Sequence, residues 1–177
     1  MDDKEIMMAI ASRDRCWAEI REKKDRLSEL LMDQSKLKPS DLRLLLKCIT
    51  LVFADITLYE KDFLAENEEE KEFLTDNSPS GSLNRMTKGI SCWQIIGDED
   101  SSSEKKLGAI KDIRKSLWGN LLYRKDELVE SVEGLTSMED NKDNFHLLFS
   151  CMSMVVVELS LKEIELKILG IDDYPEF

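Results

Sequence analysis

Two stretches of this chain, far apart along the sequence, resemble each other without a gap. The stretch DLRLLLKCITLVFADITLYE at 41–60 aligns with NFHLLFSCMSMVVVELSLKE at 144–163. A repeated apolar run restricts the fold strongly, because both stretches have to bury the same pattern of side chains. The residues that are identical at matched positions are Leu44 and Leu147, Leu45 and Leu148, Cys48 and Cys151, Val52 and Val155, Leu58 and Leu161, and Glu60 and Glu163.

A second matched pair precedes each of these stretches. WAEIREKKDRLSEL, which starts at Trp17, aligns with WGNLLYRKDELVES, which starts at Trp118. Two adjacent segments in the same order, with matched tryptophan and matched cysteine, predict an internal duplication. The alternative, chance similarity between amphipathic helices of like composition, stays open at this point. We refer to residues 4–66 as segment A and to residues 104–170 as segment B.

The spacing of apolar residues predicts four long helices, over about 3–36, 41–66, 104–133 and 143–169. Steps of three, four and seven residues mark the first and third as amphipathic, whereas the second and fourth are apolar almost all round. Gly170 is a plausible stop for the fourth helix. The sequence therefore predicts an all-α four-helix bundle in one domain over 1–177. It would contain two antiparallel hairpins joined by a long loop at about 76–103.

The charge balance restricts the partners of this chain. A formal net charge of −12 predicts repulsion from nucleic acid and from anionic membrane surfaces. Neither of the two most apolar runs reaches roughly 20 uninterrupted apolar residues, so no membrane span is expected. A protein partner, basic rather than acidic, fits the charge better. Homo-oligomerisation through the long first helix is a further alternative.

The four cysteines are widely spaced, and no two of them form a Cys-x-x-Cys pair. This spacing argues against a zinc site and against a disulfide framework. The N-terminus is acidic and lacks the apolar core of a signal peptide. We therefore expect a cytoplasmic protein, or a nuclear one in a eukaryote, that is not secreted.

Two acids interrupt the apolar helices at equivalent positions. Asp55 and Glu158 each follow a cysteine, Cys48 or Cys151, by seven residues. Paired carboxylates in a bundle can hold metals, but such sites recruit Glu-x-x-His motifs, and this chain has one histidine, His146, outside any such motif. We expect the acids to pair with Arg or Lys or to meet water, the thiols to lie in the core and His146 to lie at the rim. A metal site at Asp55 and Glu158 is the alternative, and no cofactor is expected.

Aromatic residues give two candidate binding surfaces. Trp17 and Trp118 head the matched amphipathic faces, where core packing is expected and an exposed partner groove is the alternative. In the central stretch CWQIIGDEDSSSE, the residues Trp93, Ile95 and Ile96 are too apolar for a free loop. They either tuck against the bundle or form a docking peptide for a partner.

The acidic half of the same central stretch carries a helix-start pattern. Ser101 and Glu104 fit a capping box, in which each side chain satisfies the other's backbone N–H. Ser101 follows the acids 98–100, so it is also a candidate site for an acidophilic kinase. The two interpretations are compatible.

No nucleophilic triad, phosphate loop or metal motif is present in the sequence. The sequence therefore favours a non-enzymatic adaptor or regulatory protein that binds a partner through an apolar helical groove or the central loop. One alternative is a small metal- or ligand-binding bundle that uses its core carboxylates. A second is a pathogen-encoded helical modulator of a host pathway.

Overall fold

The computed structural model describes residues 3–134 and 142–171, and within them the regular structure is entirely helical. The prediction of an all-α chain is confirmed. Two short 3-10 turns, Gln34–Lys36 and Pro39–Asp41, connect the second and third helices. The α-helices are α1 (Asp3–Glu22), α2 (Lys24–Met32), α3 (Leu42–Phe63), α4 (Glu68–Thr75), α5 (Pro79–Gly97), α6 (Ser103–Tyr123), α7 (Lys125–Gly134) and α8 (Lys142–Leu169).

Two of the predicted long helices are each broken at a single residue. Lys23 separates α1 from α2 with φ −109° and ψ 13°, and Arg124 separates α6 from α7 with φ −106° and ψ 18°. The N–H of Lys23 donates to the carbonyl of Ile20 at 2.9 Å, and the N–H of Arg124 donates to that of Leu121 at 3.0 Å. Lys23 and Arg124 occupy aligned positions of segments A and B. The same local distortion therefore occurs twice, at the same place in the pattern.

The predicted loop at about 76–103 is wrong, because most of it is the helix α5. The sequence SPSG, which resembles a turn, is the start of this helix. The side chain of Ser78 accepts a hydrogen bond from the N–H of Gly81 at 3.0 Å, and Pro79 stands at the first helical position, where its missing N–H costs nothing.

The acidic run before α5 also differs from the prediction. It does not extend the second helix but forms α4, whose N-cap is Asn67. The Asn67 side chain accepts from the N–H of Glu70 at 2.9 Å. Three glutamates in the first turn of α4 favour this start, since negative charge stabilises the N-terminal end of a helix.

The buried positions of α3 and α8 coincide. Each buried residue of α3 aligns with a buried residue of α8, including the acids Asp55 and Glu158. The pairs are Cys48 and Cys151, Ile49 and Met152, Leu51 and Met154, Val52 and Val155, Asp55 and Glu158, and Ile56 and Leu159. The same side of each helix is thus withdrawn from water.

The described residues group into two compact units. Unit 1 contains residues 3–60, 125–134 and 142–160, and unit 2 contains residues 61–124 and 161–171, so that each unit holds parts of both segments. In unit 2, α5 packs along α6, and α4 contacts both. No helix within 3–134 or 142–171 combines the length and the apolar character that crossing a bilayer requires.

Candidate functional site

The candidate site is one face of α5, and the start of this helix is fixed by several polar contacts. Asp76 accepts from the N–H of Ser78 at 2.9 Å, and the guanidinium of Arg85 donates to the carbonyls of Phe73 and Asp76 at 2.9 and 2.6 Å. A Cβ at Gly81 would overlap the carboxylate of Asp76, so glycine is required there. These contacts join α5 to the end of α4 and set which face of α5 looks outward.

The inward face of α5 is narrow. Gly81 and Cys92 are buried, and three further residues at helical spacing, Arg85, Gly89 and Ile96, are half-buried. Two of these five residues are glycines; a Cβ at Gly81 would overlap Asp76, whereas a Cβ at Gly89 would meet no atom within 4 Å. The inward face of α5 thus carries few large apolar side chains, and most of the larger apolar residues of this helix lie elsewhere.

The outward face of α5 carries four large apolar side chains. Leu83 is 56% exposed, Met86 57%, Ile90 50% and Trp93 38%. Their steps of three, four and three residues place them in one line along the helix. We call these four residues the α5 stripe. Scattered apolar residues on a surface are ordinary, whereas a continuous row of them makes this face the candidate site.

The helix α5 carries few charged residues around the α5 stripe. The residues that follow each member of the stripe, Asn84, Thr87, Ser91 and Gln94, are polar, uncharged and exposed. Within Pro79–Gly97 the only charged residues are Arg85, already bound to two carbonyls, and Lys88, whose Nζ lies 5.3 Å from the centre of the Phe73 ring. Acidic residues are absent from this helix, although the chain as a whole is strongly acidic.

The central stretch identified in the sequence lies partly within this surface. Trp93 belongs to the α5 stripe, Ile95 is 38% exposed, and Ile96 is half-buried on the inward face. The sequence alone missed Leu83, Met86 and Ile90. The signal that could have found them is the period-3.6 spacing 83, 86, 90, 93, which the surrounding Gly, Ser and Pro residues obscured.

The two matched tryptophans do not form an exposed groove. Trp17 is 4% exposed and Trp118 is 2% exposed. In unit 2 the ring of Trp118 stacks on that of Phe63, with centroids 5.4 Å apart and an angle of 13° between the planes. Both residues belong to the core, so the partner-groove interpretation of Trp17 and Trp118 is wrong in this structure.

The candidate acids Asp55 and Glu158 and the thiols of Cys48 and Cys151 are buried in unit 1. Asp55 and Glu158 are both nearly inaccessible, and Nε of Arg13 lies 3.9 Å from Oδ1 of Asp55. Arg13 also donates to Asp14 and to the hydroxyl of Tyr59, so this cation bridges several groups. Among the described residues, no three His, Cys, Asp or Glu side chains gather as a metal site would require.

The surroundings of Cys48 do not favour a nucleophilic thiolate. Burial, together with the nearby thiols of Cys151 and Cys16, raises the pKa of the Cys48 thiol to about 12. A nucleophilic cysteine needs the opposite shift, toward the thiolate at neutral pH. The structure thus gives Cys48 the chemistry of a core residue.

The predicted helix start at Ser101 is displaced by one residue. The N-cap of α6 is Ser102, whose hydroxyl accepts from the N–H of Lys105 at 3.3 Å. The hydroxyl of Ser101 instead donates to Oδ2 of Asp98 at 2.7 Å, which closes a short turn between α5 and α6. The side chain of His146 lies outside the described part of α8.

No protein-family model, no curated protein and no solved structure matches this chain.

Proposed function

We propose that this chain is a non-enzymatic interaction protein that docks a partner protein through the α5 stripe. The observation that carries the proposal is the exposure of Leu83, Met86, Ile90 and Trp93 in one row on a helix that packs on α6 through a narrow inward face. In water, covering such a row releases roughly 25 cal/mol for each Å² of apolar surface that becomes buried. Burial of the α5 stripe against a partner is therefore favourable in free energy.

The spacing of the α5 stripe suits a helical partner. Steps of three and four residues are those by which one helix lays an apolar seam against another. Tryptophan is enriched among the residues that dominate binding energy, and Met86 supplies an adaptable side chain beside it. We therefore expect Trp93 to be the anchor and Met86 to adjust to the shape of the partner.

The charge of the chain favours a basic partner over a second copy. Two copies would each bring a net charge of −12 to the contact. The C-terminal end of α5 leads directly into Asp98, Glu99 and Asp100, which are exposed. A partner helix with Lys or Arg beside its apolar residues would meet these acids, which speeds association and selects against acidic proteins.

The size of the α5 stripe favours a transient complex. A standard stable interface uses about 20–30 residues on each side. The α5 stripe, the four polar residues that follow its members, and Ile95 together make up fewer than half of this number of residues. An interaction of this size is regulated easily, which is consistent with an adaptor that binds and releases.

The framework behind this surface is, in our proposal, a duplicated helical hairpin that builds a four-helix bundle. Support comes from the coincidence of buried positions in α3 and α8 and from the matched breaks at Lys23 and Arg124. The helices α4 and α5 are inserted between the two hairpins in sequence. The α5 stripe thus lies in the part of the chain that the duplication does not explain.

The proposed location is the cytoplasm, or the nucleus in a eukaryote. All four cysteines lie among the described residues, and no disulfide joins any two of them. Reduced thiols are the norm in these compartments, whereas secreted proteins tend to oxidise theirs.

The test of the docking proposal uses two helical peptides and Trp93 as the reporter. One peptide combines leucine at the spacing of an apolar face with lysine elsewhere, and the second replaces each lysine with glutamate. Binding of the lysine peptide should shield Trp93 from quenching by acrylamide. Because Trp17 and Trp118 are already buried, the change in quenching reports on Trp93. The variant Ile90→Glu should weaken peptide binding by about tenfold or more, which corresponds to about 1.4 kcal/mol.

The matched control is Met32→Glu. Met32 is 88% exposed on α2 and lies outside the α5 stripe, so this variant introduces the same charge in place of an exposed apolar side chain but should leave binding unaltered. Equal loss in both variants, or equal binding of the two peptides, would contradict the proposal. Self-association in sedimentation experiments that Ile90→Glu abolishes would replace the basic partner with a second copy.

A further inference from the structure

Unit 1 contains a cavity of about 620 Å³ whose wall is rich in cations. It is formed by the end of α1, the break at Lys23, the start of α2, the 3-10 turn Pro39–Asp41 and the first turns of α3. Five of its ten lining residues are basic, namely Lys23, Arg26, Lys38, Arg43 and Lys47. A volume of this size is typical of pockets for small ligands, which range over roughly 300–1,000 Å³.

One of the five cations holds the cavity together. Nε and Nη2 of Arg26 donate to the two carboxylate oxygens of Asp41 at 3.0 and 2.7 Å, and Nη2 also donates to the carbonyl of Lys36 at 2.8 Å. Asp41 in turn accepts from the backbone N–H of Lys38 at 2.8 Å. This network fixes the turn that leads into α3, so that the cavity has a rigid wall before any ligand arrives.

Three of the cations take no part in a hydrogen-bond network of this kind. The side chains of Lys23, Lys38 and Arg43 are exposed, and no carboxylate of the described residues lies within ion-pair distance of them. Lys47 is paired with Glu19, which also lines the cavity. The wall as a whole has five basic and three acidic residues, the acids being Glu19, Glu22 and Asp41, which leaves two positive charges in excess.

Three of the cations of this cavity are absent from the aligned positions of segment B, whereas Lys23 aligns with another cation, Arg124. Arg26, Arg43 and Lys47 align with Glu127, His146 and Ser150. Leu27 and Cys48, which follow Arg26 and Lys47 in the sequence, are nevertheless buried like their counterparts Leu128 and Cys151. The shared framework therefore does not require these three cations, and their concentration in a chain of net charge −12 calls for another reason.

We propose that this cavity binds a small molecule that carries a dianionic phosphate group, held by Lys23, Lys38 and Arg43. Lysine provides a strong point charge for phosphate, and the planar guanidinium of Arg43 can donate two parallel hydrogen bonds to its oxygens. Arg43 also stands in the first turn of α3, where the helix dipole favours a negative ligand. This site is separate in the sequence from the α5 stripe and does not depend on its function.

The test titrates the intact chain with inorganic pyrophosphate at constant ionic strength and follows binding by calorimetry. The wild-type chain should bind pyrophosphate. The variants Arg43→Gln and Lys38→Gln should each weaken binding by about tenfold, as expected for the loss of one charge-assisted contact. Far-UV circular dichroism should show unchanged helix content, since neither side chain is buried.

The control variant is Arg15→Gln, an exposed arginine on α1 outside the cavity, and it should bind like the wild type. Absence of pyrophosphate binding to the wild type would overturn the proposal, and so would an equal loss in Arg15→Gln. A final arm uses a poly-glutamate peptide. If the peptide saturates the cavity and pyrophosphate does not compete with it, the ligand is an acidic protein segment and the phosphate assignment is wrong.

Discussion

Segments A and B share their interior but not their surfaces. The buried positions of α3 and α8 coincide, Trp17 and Trp118 are both buried, and so are Leu27 and Leu128. By contrast, Arg26, Arg43 and Lys47 of the cavity wall have no cation at the aligned positions of segment B. The comparison separates two kinds of residue: those that both segments need in order to fold, and those that only one of them uses.

A second difference lies where α4 meets α6. Gly119 aligns with Ala18, yet Gly119 is buried in unit 2 and Ala18 is exposed on α1. A Cβ at Gly119 would lie 2.9 Å from Cδ1 of Leu74 and 3.1 Å from the carbonyl oxygen of Phe63. Segment B thus has no side chain at the position where α4 approaches α6, and segment A has no counterpart of α4.

The largest expected effect tests the shared interior. Leu27→Ala and Leu128→Ala each remove a fully buried side chain at aligned positions, so each should lower the free energy of unfolding by about 2–5 kcal/mol. Urea unfolding followed by circular dichroism measures both. Leu46→Ala on the exposed side of α3 is the control and should change stability by about 0.5 kcal/mol or less. A neutral result at one of the two buried leucines would show that the segments are not equivalent in the core.

The next effect tests the difference at α6. Gly119→Ala should lower the free energy of unfolding by about 1–3 kcal/mol, because the new methyl group meets Leu74 and the Phe63 carbonyl at short distance. Gly108→Ala is the matched control on the same helix, where a Cβ meets no atom within 4 Å. There the gain in helix propensity should raise stability by up to about 1 kcal/mol. Opposite signs for these two variants are the expected outcome in thermal unfolding, and equal signs would contradict close packing of α4 on α6.

The helices themselves could be predicted from the sequence because apolar spacing reports directly on helix faces. The breaks at Lys23 and Arg124 could not, since neither residue is a helix breaker and the apolar pattern continues across both. The helix α5 was missed for a different reason. Its first turn contains Gly81, which the carboxylate of Asp76 leaves no room to replace, and glycine among serines resembles a loop when only the sequence is considered.

The candidate sites were predictable only in part. Trp93 stood out because a tryptophan beside two isoleucines is unusual in a polar stretch, but its companions in the α5 stripe did not. The sequence contains no local pattern that predicts the cavity of unit 1. Lys23 lies between α1 and α2, Lys38 directly precedes the 3-10 turn and Arg43 lies in α3. The turn fixed by Arg26 and Asp41 brings the three to one wall. Convergence of this kind depends on tertiary structure.

The smallest expected effect concerns the pH dependence of that turn. The hydrogen bonds from Arg26, followed by the N–H of Lys38, lower the pKa of Asp41 from 3.8 to about 2. A carboxylate whose pKa is lower in the folded state stabilises the fold above its unfolded pKa, and the contribution disappears as the pH falls from about 4 to about 2. The residue of segment B that aligns with Asp41 is Asn144, so Asp41→Asn gives segment A the residue of its counterpart.

Asp41→Asn should therefore destabilise the chain at neutral pH and flatten its loss of stability between about pH 4 and pH 2. Urea midpoints at a series of pH values measure this, and the difference from the wild type isolates Asp41 from the other acids. The control is Asp62→Asn, an exposed aspartate of α3. If Asp41→Asn retains the pH slope of the wild type, the Arg26–Asp41 contact does not fix the turn. Pyrophosphate binding measured on the same variant would then show whether the cation-rich wall needs that contact at all.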